Sequence, residues 1–585
     1  MTIENSVRSL VVKIFENRLE AIVKDIGANS STLHMLGESA ELMYRQGRFD
    51  EGEYIRTVNE LLIPHLLQSY EANSAPQKLL SPQKYTEILK FLGTYHTLRD
   101  IIYYSYDDSD AVSWEIENKS IKVTLNDDSI LRQHASERIT FYLNSKYTPC
   151  ELEQDDPEVL LEATRPFDFS DPKVEKAFSV IESVVKWKIE HYFAYIPEDS
   201  DVMLGGYKYS TFIGIYKYIL TLALYERYYS KANNESGVIT YRQNELLEQA
   251  AQQYPDESRE SLAKIFKDIA LSSRGTFNFI KPENEYMLNP TCFSLVDGIA
   301  NILRLFAKAD PNSFSNNISE FIGKGLVDEV KKKLEQYGNY KVYSDVKLNK
   351  FDPKLPDIDL LAISYEPSLG FHVFIGEVKN NLPAVWAKSY LKAKGKKGFI
   401  TKAISQIDTI KNFLLTDDGL DYIYRLAVKA FPKLDINHLF PHGIFIVVDS
   451  MIISSQSIGM FFPKSTIPII DGATLGHIID ESDGDTNYIL FHLKRHTKFV
   501  DECTNRKTEK IYLGEYTIEY DGISMDEVYD LAKNEFISIG AIEKLEKQSL
   551  TERYTMAGAF RHLGNEAYFM DIEEIPNNMS LFIIH

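Results

Sequence analysis

The chain has 585 residues, a formal net charge of −21, 44% hydrophobic residues and 25% charged residues. This length exceeds what one hydrophobic core holds, so the sequence predicts two to four domains, and the composition excludes extensive disorder. Because an acidic chain repels nucleic acid at long range, any nucleic-acid site must be a local basic patch.

The cysteines and the first helix indicate a cytoplasmic protein. Cys150, Cys292 and Cys503 lie far apart with no CxxC pair, which favours neither a disulfide framework nor a zinc site and suits a reducing cytosol. Residues 1–26 carry acids from the start and predict an amphipathic helix rather than a signal peptide. No run approaches the ~20 apolar residues of a membrane span, so none is predicted.

The first 310 residues predict a mainly helical region with a small β insertion near 112–126. Helical periodicity dominates 1–105 and returns from about 131 to 308, while VSWEIEN and SIKVTLN predict two strands joined at Lys119. The segment ADPNSFSNN (309–317) is typical of a linker or a helix N-terminus, and it marks the main boundary. We expect this region to be regulatory, either binding a protein partner or self-associating.

After residue 310 the pattern changes to alternating helices and strands. The predicted elements are a helix at 318–337, a strand near YKVYSDVKL, a hairpin at 356–380, a lysine-rich helical stretch at 385–415, a helix near 418–431 and a strand at 443–450. Further strands are predicted at SIGMFFP and NYILFHLKR, so the four-residue spacing of His492 and His496 is not expected to converge them. The strand YLGEYTIEY opens a C-terminal α/β segment at 506–585.

The hairpin PDIDLLAISYEPSLGFHVFIGEVKN at 356–380 brings acidic residues together. Alternation along a strand puts Asp357 and Asp359 on one face, and Glu377 and Lys379 on one face of the next strand. A turn centred near Ser368 sets Asp359 opposite Glu377 and Asp357 opposite Lys379. Two carboxylates and one ammonium therefore converge.

This arrangement suits Mg²⁺ or Mn²⁺ bound over a phosphodiester. Mg²⁺ prefers hard oxygen ligands, typically one or two carboxylates with waters and substrate phosphate oxygens. Asp359 and Glu377 supply the carboxylates, and the backbone carbonyl of Val378 is a third candidate ligand. Lys379 then lies where a water must be oriented or where charge develops on the phosphate. A metal also removes the repulsion between facing carboxylates that would raise one pKa.

The sequence Pro356-Asp357-Ile-Asp359, followed by Glu377-Val-Lys379, resembles the PD-(D/E)xK nuclease superfamily. The resemblance includes the apolar strand after the Asp, the helix KAISQIDTIKNFL with Gln406, and Asn380 directly after the Lys. It covers roughly residues 315–450. It implies a restriction-endonuclease-like α/β/α domain with a mixed sheet at 311–505, and products with 5′-phosphates.

The resemblance also implies further site residues. An acid on the helix before the hairpin often joins the metal site in that superfamily, and Glu320 is the candidate because it shares a helical stripe with Gly323, Val327 and Leu334. Glu329 is the alternative. Gln406 is expected to position the site. The Pro-Asp pair favours Asp357 as the metal ligand, whereas the acid directly before the buried strand is Asp359, which we favour.

A basic patch follows the hairpin. Seven lysines and one acid, Asp408, lie between positions 388 and 411, which gives a local charge of +6 beside the proposed phosphate site. The alternative is a solvated helix face. The lysines expected to contact nucleic acid are Lys388, Lys392, Lys396, Lys397 and Lys402, and Lys402 shares a helix with Gln406.

The sequence as a whole predicts a multidomain α + α/β protein with a metal-dependent endonuclease that acts on DNA. By analogy, a helical region fused to such a nuclease suggests a regulated enzyme of prokaryotic antiviral defence. Two alternatives stay open: a catalytically silent nuclease-fold scaffold that binds a protein partner, and a nuclease acting on RNA or on branched nucleic acid. Neither a membrane nor any cofactor other than the metal is expected.

Overall fold

The computed structural model describes residues 3–70, 81–136, 170–192, 195–273, 278–366, 370–382, 398–439, 444–454, 465–522 and 580–584. The chain forms two compact units. Unit 1 comprises Met1–Thr124, Thr148–Phe321 and Glu509–Tyr520, and unit 2 comprises Leu125–Tyr147, Ile322–Thr508 and Asp521–His585. The sequence-based division at 310 and 505 stays a prediction.

Unit 1 is mainly helical. Its helices are α1 (Ile3–Ile26), α2 (Ser30–Arg45), α3 (Phe49–Asn59), α4 (Ile63–Gln68), α5 (Pro82–Asp107), α6 (Pro172–His191), α7 (Tyr209–Asn233), α8 (Gln243–Gln253), α9 (Arg259–Ser272), α10 (Pro290–Leu295), α11 (Gly298–Ala309) and α12 (Pro311–Asn317). Several begin at a side chain that accepts a hydrogen bond from a first-turn N–H, as helix N-termini require. These N-cap residues include Asn29, Ser81, Asp171, Ser258 and Asp297.

Two small sheets accompany these helices. The predicted insertion is confirmed as β1 (Val112–Glu117) and β2 (Ser120–Leu125), and it is joined by two distant strands, β11 (Lys507–Leu513) and β12 (Tyr516–Gly522), in the order β1-β2-β12-β11. The second sheet has the order β3-β5-β4, formed by β3 (Ile239–Arg242), β4 (Phe279–Ile280) and β5 (Glu285–Leu288).

Unit 2 is built on a mixed sheet with helices. Its strands are β6 (Tyr340–Val346), β7 (Ile358–Glu366), β8 (Gly370–Lys379), β9 (Ile444–Ser454), β10 (Ile469–Asp471) and β13 (Ser580–Ile584). Its helices are α13 (Ser319–Glu335, which starts in unit 1), α14 (Phe399–Leu414), α15 (Asp417–Ala430), α16 (Ile436–Leu439), α17 (Gly472–Ser482) and α18 (Thr486–Cys503). Residues 129–136 are also helical.

The strand order β10-β9-β8-β7-β6, with β13 also paired to β9, places β8 at the centre. β8 pairs antiparallel with β7 and parallel with β9. One face of this sheet forms an apolar core with α14 and α15, and that core includes Leu361, Ile363, Val373, Ile375 and Ile410. A strand buried on both faces reads as a continuous apolar run, as GFHVFIG does.

The opposite face of the sheet carries polar groups that are satisfied by hydrogen bonds. Thr486 Oγ1 lies 2.8 Å from the Tyr340 hydroxyl and 2.8 Å from Ser364 Oγ. His372 Nε2 lies 2.9 Å from Asp449 Oδ2. Because buried polar groups are costly unless they are paired, the two Thr486 contacts hold the start of α18 against the sheet, and the His372 contact links β8 to β9.

One predicted strand is wrong. NYILFHLKR belongs to α18, a helix that begins at Asp485, whose side chain accepts hydrogen bonds from Asn487 N and Tyr488 N. The side chains of His492 and His496 therefore lie on one helical face, and both are buried. Burial lowers the pKa of His492 to about 4 and also lowers the pKa of His496.

Other expectations are refined. ADPNSFSNN is a helix start rather than a linker, because Asp310 caps α12 by accepting from Ser313 N. The C-terminal segment contributes β12 to the sheet with β2 and β13 to the sheet with β9. The strand predicted at SIGMFFP lies outside the described residues. Across the described part of the chain, no helix is both long and apolar enough to cross a membrane.

Two helical glycines of unit 2 make a matched test of its packing. A Cβ at Gly419 would lie 2.2 Å from the Phe413 carbonyl oxygen, whereas a Cβ at Gly323 meets nothing within 4 Å. Gly419→Ala should therefore destabilise unit 2 by about 1–3 kcal/mol. Gly323→Ala should stabilise it by about 0.5–1 kcal/mol. Scanning calorimetry measures both, and a neutral Gly419→Ala would contradict the contact between α14 and α15.

Candidate functional site

The β7–β8 hairpin has the register that the sequence predicts. The pairs run from Glu366 with Gly370 to Leu360 with Gly376. Continuing by one residue sets Asp359 opposite Glu377. Asp357 precedes β7 and pairs with Lys347. The predicted turn, residues 367–369, lies outside the described residues.

Lys379 joins the two central carboxylates. Its ammonium donates a hydrogen bond to Glu377 Oε1 and lies 3.9 Å from Asp359 Oδ2. Asp359 Oδ2 also accepts a hydrogen bond of 2.9 Å from the backbone N–H of Val378. The carbonyl of Val378 is the predicted third ligand, and the structure gives its peptide this direct link to Asp359.

Glu377 has the most buried side chain of the three charged residues Asp359, Glu377 and Lys379. Its side chain is 1% exposed, while those of Lys379 and Asp359 are 19% and 35% exposed. Its second oxygen, Oε2, is buried and has no hydrogen-bond partner among the described residues. Burial and the Asp359 charge raise the pKa of Glu377, and the charges of Lys379 and Lys402 lower it.

Asp359 is also shifted by its surroundings. Burial raises the pKa of Asp359, the Val378 N–H and Lys379 lower it, and the charges of Asp345 and Asp357 raise it. These two further acids both pair with Lys347, whose Nζ lies 2.6 Å from Asp345 Oδ1 and 2.8 Å from Asp357 Oδ2. Asp357 is therefore held by an exposed lysine, whereas Asp359 faces Glu377.

Asp345 and Lys347 were not predicted as site residues from the sequence. The pairs Ser344 with Leu360 and Val346 with Ile358 place Asp345 beside Asp359 across the β6–β7 ladder. Asp345 has a φ of 53°, the left-handed region that Asp tolerates better than most residues. The available signal was Asp345-Val-Lys347, which repeats the acid-x-Lys spacing of Glu377-Val-Lys379 at the end of a strand.

Gln406 and Lys402 lie on α14, which packs against β8 and β9. They are one turn apart, so they project from the same side of the helix. Lys402 is exposed and its charge acts on Glu377. Gln406 is half-buried, and its Oε1 is buried without a hydrogen-bond partner among the described residues. Lys388, Lys392, Lys396 and Lys397 lie outside the described residues.

The stripe that carries Glu320 is not the buried face of α13. The buried stripe of α13 is Ile322, Leu326, Val330 and Leu334, and Gly323 is exposed while Val327 is half-buried. Glu320 is exposed in the first turn and Glu329 is half-buried. A shift of one residue rotates a helix position by about 100°, which moves the predicted stripe away from the core. The Asn380 side chain donates to the Ile322 carbonyl, so this helical turn lies against the end of β8.

The donor set fits a hard cation that keeps several waters. Among the described residues no group of three or more His, Cys, Asp and Glu side chains is arranged to hold a metal, so an all-protein cage is not supported there. Two carboxylates, one with an unpartnered buried oxygen, are what Mg²⁺ takes from a protein when substrate phosphate oxygens and water supply the rest.

Comparison of this chain with protein-family models, with curated proteins and with solved structures found no match.

Lys379 and Lys347 each contact two acids. The acids at Lys379 include the buried Glu377, whereas the acids at Lys347 are both more exposed. Lys379→Met should lower the free energy of unfolding at pH 8 by about 1–3 kcal/mol, because Glu377 is left buried and unpaired. The pKa of Glu377 rises further without Lys379, and the protonated form favours the folded state, so the loss should shrink at pH 5. Lys347→Met should change stability little, because exposed ion pairs contribute little.

Urea unfolding at both pH values measures these differences. An equal loss at pH 5 and pH 8 for Lys379→Met would contradict the role of Lys379 as the counter-charge of a buried carboxylate.

Proposed function

We propose that this chain is a metal-dependent deoxyribonuclease of the PD-(D/E)xK type, with its active site at the paired ends of β7 and β8. The observation that carries the proposal is the convergence of Asp359, Glu377 and Lys379, with Glu377 Oε2 buried and unpartnered among the described residues. Unit 2 would then be a restriction-endonuclease-like domain, and its mixed sheet with helices is consistent with that class.

Each residue has a role that follows from its position. Asp359 and Glu377 would bind the cation, Mg²⁺ or Mn²⁺, with the Val378 carbonyl as a further ligand. A bound cation of this kind polarises the phosphate and makes a coordinated water a better nucleophile. Lys379, already within 3.9 Å of Asp359, would turn its ammonium toward the phosphate and stabilise the developing negative charge.

Two polar residues of α14 complete the proposed site. Gln406, with its buried Oε1 facing no partner among the described residues, would orient a water or Lys379. Lys402 is exposed and acts on Glu377, so it would contact a backbone phosphate next to the cation. Within unit 2, the Asn380 contact to the Ile322 carbonyl holds α13 near the end of β8.

The ligand assignment favours Asp359 over Asp357. Asp357 is 2.8 Å from Lys347 and 37% exposed, whereas Asp359 accepts from the Val378 peptide and faces Glu377. A ligand that is already oriented toward its partner loses less side-chain entropy when the cation binds. Lys347 would instead offset part of the charge of Asp357 and Asp345 at the rim of the site, where that charge would otherwise repel DNA more strongly.

One observation favours the scaffold alternative. The Lys379 ammonium already bridges Asp359 and Glu377, so the two acids have a counter-charge without any cation. A silent nuclease fold would use the same contact for stability alone. The observation that separates the two functions is Glu377 Oε2, which has no partner among the described residues. A purely structural ion pair has no need for a buried carboxylate oxygen without a partner.

DNA is the proposed substrate, with RNA or branched nucleic acid as alternatives, and the enzyme is proposed to act in the cytoplasm, as part of prokaryotic antiviral defence. The net charge of −21 limits long-range attraction to DNA. Unit 1 is the candidate for a regulatory region that binds a protein partner or self-associates.

The direct test is cleavage of plasmid and linear DNA with Mg²⁺ or Mn²⁺ by the full chain. Wild type should cut, and Glu377→Ala and Lys379→Ala should lose at least about 100-fold in rate, as removal of a charge-stabilising group does. The matched control is Asp357→Asn, which removes a neighbouring acid outside the proposed ligand pair and should keep most activity. Cutting that survives Glu377→Ala, or no cutting by wild type with either metal, would contradict the proposal.

A further inference from the structure

The loop between β6 and β7, residues 347–357, carries more lysines than acids. It contains Lys347, Lys350 and Lys354 with two acids, Asp352 and Asp357. Two turns shape it, with Phe351 N donating to the Leu348 carbonyl at 3.0 Å and Leu355 N donating to the Asp352 carbonyl at 3.0 Å. Leu348 is fully buried in the core of unit 2. The loop therefore presents its lysines from a fixed backbone.

Phe351, at the tip of this loop, packs against two other rings. Its ring centroid lies 5.0 Å from that of Phe413 in α14 and 5.1 Å from that of Tyr422 in α15. Phe413 is buried and Tyr422 is half-buried, but Phe351 is 37% exposed. These three rings are called the aromatic platform. A partly exposed ring packed beside other rings is typical of surfaces that stack planar ligands.

Lys350 adds a positive charge to the aromatic platform. Its Nζ lies 4.8 Å from the ring centroid of Phe351 and 4.1 Å from that of Tyr422. Among the described residues no carboxylate lies within ion-pair distance of Lys350 or Lys354, whereas Lys347 is engaged by Asp345 and Asp357. An ammonium next to an open ring matches a nucleotide, whose base stacks while its phosphate meets the cation.

The aromatic platform and the candidate active site are connected through two elements of unit 2. The loop that bears Phe351 ends at Asp357, directly before β7 and Asp359. Phe413 follows Gln406 by seven residues in α14, which is about 10 Å along a helix axis. At about 3.4 Å per stacked nucleotide, this separation corresponds to roughly three nucleotides of one strand.

We propose that the aromatic platform stacks an unpaired base of single-stranded DNA, with Lys350 on the adjoining phosphate, about three nucleotides from the bond that is cut. In a duplex both faces of each base are covered by its neighbours, so an aromatic side chain can stack only on a base that is unpaired or frayed. The inference rests on the proposed nuclease function and adds to it a preference for single strands or frayed ends.

Binding in EDTA, where no cutting interferes, tests the inference. Fluorescence anisotropy of a short fluorescein-labelled oligodeoxynucleotide, alone or annealed to its complement, measures affinity for the full chain. Phe351→Ala should weaken single-strand binding by about 5- to 150-fold, the range for loss of one base–aromatic stack. Phe351→Leu keeps the packing and should lose as much, while Phe351→Trp should stay close to wild type.

Two further variants complete the design. Lys350→Met should reduce the salt dependence of single-strand binding by about 0.7 in the slope of log K against log salt, the value for one phosphate contact. The matched control is Tyr512→Ala in unit 1, because Tyr512 is 72% exposed and also has a lysine, Lys510, 6.0 Å from its ring centroid. Its affinity for single strands should equal that of wild type.

The outcomes separate this inference from the proposed function. A wild type that cuts DNA with Mn²⁺ but binds single strands as tightly as Phe351→Ala and Phe351→Leu overturns the aromatic platform alone. Equal or tighter binding of the duplex by wild type also overturns it. A wild type that neither binds nor cuts either substrate overturns the proposed function and the inference together.

Discussion

The antiparallel register of β7 and β8 is the constraint on which the candidate site depends. It sets Asp359 and Glu377 on the same side of adjacent strands, where two negative charges repel and burial raises the pKa of both. The fold offsets this cost with Lys379 and with the Val378 N–H. A slip of one residue between the two strands would place Asp359 and Glu377 on opposite faces of the sheet.

The surrounding helices determine which side chains lie near the paired ends of β7 and β8. α14 and α15 bury the apolar face that includes Leu361 and Ile375, and that packing carries Gln406 and Lys402 toward Glu377. The same two helices hold the ring of Phe351 through Phe413 and Tyr422. A single packed face of the sheet thus supports both the proposed metal ligands and the proposed stacking surface.

Electrostatics explain how an acidic chain could still meet nucleic acid. The formal charge of −21 is spread over the whole sequence, whereas Lys347, Lys350, Lys354, Lys379 and Lys402 lie in the elements around the hairpin end. Local charges act within about one Debye length, near 8–10 Å in physiological salt, so these lysines offset the nearby acids close to the site. Lys347 offsets part of the charge of Asp345 and Asp357 and so weakens the local repulsion of a phosphate.

The sequence predicted what depends on local periodicity. The alternation of two along the hairpin and the short turn were enough to pair Asp359 with Glu377, and that register is confirmed for the described pairs. A short apolar run is ambiguous between a strand and a buried helix, which is why α18, with His492 and His496, was assigned wrongly. The periodicity of α13 could not show which face packs, because that depends on tertiary neighbours.

Long-range pairing was the other limit of the sequence. No pattern within either strand predicts that β12 pairs with β2. The structure nevertheless has Leu125 N donating a hydrogen bond to Asp521 Oδ2, 396 positions away in the sequence. Asp345 and Lys347 were missed for the same reason, since their place beside Asp359 depends on how β6 pairs with β7. The metal, the substrate and the activity of the site depend on the chemistry of its side chains rather than on the fold.

Mn²⁺ binding measures whether Asp359 and Glu377 bind one cation, whatever the substrate is. Titration of the full chain with Mn²⁺, followed by the electron paramagnetic resonance of the free ion, should show binding by wild type that is lost in Asp359→Asn and Glu377→Gln. Asp357→Asn should retain it. Binding that survives both ligand substitutions, or no binding by wild type, would contradict the account.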